Sequence, residues 1–150
     1  MLSGRLINLI ENHQEQITAS VIREMRRHRD LAHYYKLPDA ELRERAQWIV
    51  EQLGYWLSGG HDTEIQLRYE LLGKKRFEED IPLHEAVRAL AIIKDKTLAF
   101  AREQWMAKTA MDLYAEEELD RRVVRFFDTL TVHLVKGYEN AWRVEEHALI

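Results

Sequence analysis

A chain of 150 residues with 46% hydrophobic and 32% charged side chains is sized for one globular domain that closes a core without disulfides or metals. Six Gly and two Pro leave few interruptions and favour long helices, while the lack of any Cys excludes a disulfide scaffold, a thiolate zinc site and a Cys nucleophile. A net charge of -4 gives no general attraction to nucleic acid or to anionic membranes.

In chain order, Leu6, Ile10, His13, Ile17, Val21 and Met25 recur every three or four residues, which predicts a helix over about 3–29 with a possible break near Asn12. This N-terminus has no uninterrupted apolar run of the kind a secretory signal needs. Residues 31–37 (LAHYYKL) read as an aromatic connector with one turn of helix. Pro38-Asp39 then signals a helix start, because Pro needs no amide partner there and Asp can accept an orphan N–H. Its apolar face is Leu42, Ala46, Ile49, Leu53 and Trp56, and Gly59-Gly60 ends it.

Asp62 offers a cap for the next helix, whose seam is Ile65, Tyr69, Leu72 and Arg76. Gly73 lies within it or at a local irregularity, and a Gly inside a helix costs ~1 kcal/mol relative to Ala, so close approach of a neighbouring backbone is the expected reason for it. After a short hinge at Asp80-Ile81-Pro82, a helix over about 82–107 is apolar on more than one stripe. Leu83, Val87, Leu90, Leu98, Ala101 and Trp105 form one line, with Ala86, Ile93 and Phe100 beside it, which marks a central helix. The last helix, about 113–147, carries Val123, Phe127, Leu130, Leu134, Tyr138 and Ala141. At 1.5 Å per residue it spans ~50 Å, longer than a bundle of this size can cover. Its end is expected to project, or to pair with another subunit.

The elements predict an all-α, single-domain bundle of about five helices, globin-like or four-helix-bundle-like, with a long C-terminal helix. No segment reaches the ~20 apolar residues of a membrane span, so neither membrane insertion nor nucleic-acid binding is expected, and the expected location is cytoplasmic.

Arg76 is the most specific residue. A cation on an apolar seam needs a partner: either a structural ion pair, with Glu78, Glu79 and Asp80 at hand, or an anionic ligand. His13, His33, His61, His84 and His133 lie on separate elements, and none has a Glu three residues before it as a di-iron bundle requires. No metal or cofactor is expected. Arg23, Arg26, Arg27, His28 and Arg29 form a basic patch diluted by Glu11, Glu15 and Glu24, which reads as solvated or partner-facing surface. With no GxSxG and no Gly-rich phosphate loop, no catalytic residues are assigned.

The runs LLGKKRFEEDIPLHEAVRAL and LPDAELRERAQWIVEQL resemble the N-terminal helical domain of RsbRD-type co-antagonist proteins, which also precedes histidine kinases and other signalling modules. The likeness covers about residues 6–107, and its markers are Leu72, Gly73, Arg76, Ile81, Pro82, Leu83, Glu85, Val87, Ala89 and Leu90. The resemblance implies a non-catalytic sensory input domain of bacterial stress signalling, related in character to non-haem globin-like sensors. Its partner would be a signalling protein or a fused output domain.

Gly73, Arg76, Ile81, Pro82 and Leu83 are accordingly the expected regulatory hinge. Phe127, Leu130, Leu134, Tyr138 and Trp142 are the expected interface of a homodimer. The alternative function is a small-ligand or haem-binding globin-like sensor.

Overall fold

A computed structural model describes residues 4–104 and 109–148 of the chain. All regular structure among them is helical: α1 (Gly4–Glu11), α2 (Gln14–Met25), α3 (Ala32–Tyr35), α4 (Asp39–Leu57), α5 (Asp62–Glu78), α6 (Leu83–Gln104) and α7 (Ala110–Ala148). The expected first helix is thus two, broken at Asn12-His13, where the His13 ring bonds back to the Leu9 carbonyl at 2.7 Å. Trp105 and residues 106–108 of the expected link fall outside the described residues, and α7 begins three residues earlier than its apolar spacing suggested.

Two helix starts use their acids differently from the sequence expectation. Asp39 and Asp62 are the first helical residues rather than side-chain caps. Asp39 instead takes Arg26 at 2.6 Å, and Asp62 accepts the Trp56 indole N–H at 2.6 Å. Arg26, from the basic patch, also donates to the carbonyls of Tyr35 (2.6 Å) and Leu37 (2.5 Å), so it closes the C-terminus of α3 and pins the connector to α4.

The core is one contiguous apolar cluster to which α1, α2, α4, α5, α6 and α7 all contribute. Helix α6 is central in the sense its broad apolar arc requires: Ala86, Ala89, Leu90, Ile92, Ile93, Leu98 and Ala101 are buried against α2 on one side and α7 on the other. Its expected first residue in that line, Leu83, is instead exposed.

The tightest packing is between α5 and α7. At Gly73 and Gly137 the two backbones meet without side chains between them. A Cβ on Gly73 would overlap the Leu134 carbonyl oxygen and stand 3.1 Å from the Gly137 Cα. A Cβ on Gly137 would overlap the Glu70 carbonyl oxygen. Each glycine Cα therefore faces a carbonyl of the other helix, the geometry of reciprocal Cα–H···O contacts. On one side of this crossing the Tyr69, Phe126 and Phe127 rings stack edge to face; on the other, Phe77 meets Tyr138 the same way.

Candidate functional site

The corner between α5 and α6 gathers residues from five helices. Helix α5 ends with Asp80 in the left-handed region (φ 61°), Ile81 N–H bonded to the Arg76 carbonyl at 3.1 Å and Asp80 N–H to the Phe77 carbonyl at 3.0 Å. Ile81 is buried, and Pro82 immediately precedes α6, its carbonyl accepting the N–H groups of Glu85 at 3.0 Å and Ala86 at 3.2 Å. The joint is thus fixed by paired backbone bonds and a buried side chain. Only Asp80 is strained, since a non-glycine residue there pays for its positive φ. Asp80→Gly is expected to raise stability by up to ~1 kcal/mol, the relief of the left-handed conformation less the added backbone entropy of Gly, read as a higher denaturant midpoint with an unchanged slope.

Behind the joint lies the ion cluster. Arg76 is 9% exposed and donates to Glu79 at 2.7 Å; the other Glu79 oxygen accepts Arg45 of α4 at 2.6 Å. Arg45 reaches Glu41 as well, at 2.8 Å. Of the three acids near Arg76, Glu79 is therefore its partner, and it ties α5 to α4. Burial pushes the Glu79 carboxyl up, but hydrogen bonds from Arg76 and Arg45, with their charges, outweigh it and hold it below the usual range.

Glu85, 3% exposed in the first turn of α6, accepts the His33 backbone N–H at 2.9 Å, which anchors the α3 connector. The Tyr138 hydroxyl of α7 donates to the Ile81 carbonyl at 3.0 Å, and its burial raises its pKa. Burial does the same to Tyr34.

The expected regulatory residues come together in part. Arg76 and Ile81 form the inner side of the corner, and Gly73 lies one turn before it at the α7 crossing. Pro82 and Leu83 lie outside, on the rim of a groove of about 430 Å³ shared with Phe77, Tyr138 and Trp142. Arg45 and Gly137 complete the arrangement and were not singled out in the sequence. An isolated Gly inside a strong helical pattern was the available signal for Gly137. Arg45 had none, since it resembles any surface Arg on a helix.

The expected dimer interface needs correction. Phe127, Leu130, Leu134 and Tyr138 are 2%, 0%, 2% and 6% exposed and belong to the molecule's own core, covered chiefly by α5 and α6. The stripe is buried because α7 runs back along its own bundle for most of its length. Past Tyr138 that cover ends. No described side chain from residue 139 onward is buried, and Trp142 and Val144 are 57% and 70% exposed. At 3.6 residues per turn, Ala141, Trp142 and Val144 continue the inward arc of Leu134 and Tyr138 beyond the bundle that covered it. Exposed Leu67 and Leu71 of α5 line a second groove with Ala141 and Val144, about 660 Å³ in volume.

The histidines do not converge. His133 meets Glu70 at 3.1 Å, His13 packs on Phe100, and no group of three metal-ligating side chains occurs among the described residues. An interior void beside Tyr34, Arg45, Arg76 and Leu134 measures about 30 Å³, which is space for a water and far short of a haem. No described helix is long and apolar enough to cross a membrane. The fold and corner together define an all-α helical bundle with a protruding terminal helix. In comparisons with known proteins the chain matches no family model, no curated protein and no solved structure.

Proposed function

We propose that this chain is a non-catalytic sensory or regulatory input domain, of the RsbRD type, acting in bacterial signal transduction through homodimerisation and contact with a signalling partner. One observation carries the reading: the inward arc of α7 outruns the bundle that covers it, leaving Ala141, Trp142 and Val144 beside Leu67, Leu71 and Leu83. Exposed apolar side chains clustered in grooves and rimmed by charge mark an association site. The ordered corner supports a regulatory role for the same region. Its carbonyl at Ile81 holds Tyr138 one turn before the exposed segment, so a change at Glu79 or Asp80 reaches the protruding end through one hydrogen bond.

Size-exclusion chromatography with light scattering tests this directly. The chain is expected to run as a dimer at tens of micromolar, and the pair Trp142→Glu with Val144→Glu to run as a monomer with unchanged helical content. Both positions are exposed, so the substitutions leave the core intact. A monomeric parent chain at that concentration would sink the dimer.

A further inference from the structure

A cleft of about 470 Å³ opens between α4 and α5, within the usual range for small-molecule sites. Arg45 and Arg76 line it and also wall the interior void beneath, Lys75 stands exposed on its rim, and Trp48 and Leu71 supply apolar surface. Four cations line the cleft against two acids, Glu41 and Glu44. Arg68 is committed to Glu64 and to Gln52. Arg45 and Arg76 divide the one Glu79 carboxylate between them, with Glu41 assisting Arg45 from a more exposed position.

Donor capacity is left over. The Nη1 of Arg45 is buried and finds no acceptor in the protein. A buried guanidinium N–H without an acceptor is costly, and turning the Arg45 side chain toward the cleft, where a ligand oxygen can meet it, recovers that cost. The planar fork of Arg favours a carboxylate, and Glu41 and Glu44 disfavour a dianion more than a monoanion. The indole of Trp48 offers an aromatic surface in the same cleft.

We propose that the α4–α5 cleft binds a small aromatic carboxylate, its anionic end held by Arg45 with Arg76 and Lys75 beside it, its ring against Trp48 and Leu71. The reading of the chain as a sensory domain gives this site its purpose, but the binding stands or falls separately.

The test is calorimetry and tryptophan fluorescence on the full chain with 1-naphthoate, beside neutral 1-naphthalenemethanol and inorganic phosphate. Saturable one-to-one binding of naphthoate is expected, at least ~10-fold tighter than the alcohol. Lys75→Glu, an exposed change, is expected to weaken naphthoate about 10-fold while leaving the alcohol unaffected. Absence of saturable binding below ~10 mM, equal affinity for the alcohol, phosphate competing as well as naphthoate, or indifference to Lys75→Glu would each overturn the site. Light scattering on the same samples separates the two readings. A monomer that binds naphthoate keeps the site and loses the dimer; a dimer that ignores naphthoate does the reverse.

Discussion

Gly137→Ala is expected to lower stability by ~2–4 kcal/mol, near the upper end of what overpacking costs. The new methyl would overlap the Glu70 carbonyl oxygen, and that neighbour is backbone of a well-packed helix rather than a side chain that can rotate away. In an unpacked helix the same change would stabilise by ~1 kcal/mol, so the sign of the effect alone tells whether the crossing is as close as described. Gly73→Ala is expected to behave alike, through the Leu134 carbonyl. The two costs are expected not to add, because one small separation of α5 from α7 relieves both clashes. Thermal unfolding of the two single variants and the double variant checks this. For a chain of this length ~3 kcal/mol corresponds to a fall of roughly 10 °C. A gain in melting temperature for either single variant would refute the close crossing.

Much of this arrangement was legible in the sequence. Three- and four-residue apolar spacing located the helices. Gly59-Gly60 marked the end of α4, where Gly59 takes a positive φ of 104°. Gly73 announced a close approach, and Arg76 announced a buried cation. What the spacing could not supply was which surface covers each stripe. Leu130 and Leu134 look the same in sequence whether α5 or a second molecule lies against them, so an overlong helix suggested an outside partner for residues that are in fact core. Only the residues after Tyr138 extend beyond the cover of the bundle. Glu79 shows the complementary gap: its adjacency to Arg76 was visible, but its second bond, to Arg45 thirty-four residues earlier, depends on how α4 and α5 pack.

That second bond makes Glu79→Gln the other substitution with a large expected effect. The amide would keep one acceptor oxygen, but it would turn an NH2 donor toward a guanidinium and leave two cations, 17% and 11% exposed at their side chains, without their shared anion. Breaking a buried pair costs ~3–5 kcal/mol. Because the Glu79 side chain is one-quarter exposed, ~2–3 kcal/mol is expected here. The pH dependence identifies the cause. The carboxyl of Glu79 is held below its ordinary value of 4.5 when folded, so its contribution is fully present above that value. The contribution is lost as pH falls through the lower, folded value. Denaturant unfolding of parent and Glu79→Gln chains is therefore expected to show a constant gap from about pH 6 to 8 that narrows steadily below the unfolded carboxyl range. Glu78→Gln, one residue away but exposed, is expected to show no such gap. A gap that stays constant down to pH 3 would mean that shape and hydrogen bonding at the corner, rather than the charge shared between Arg45 and Arg76, hold α4 to α5.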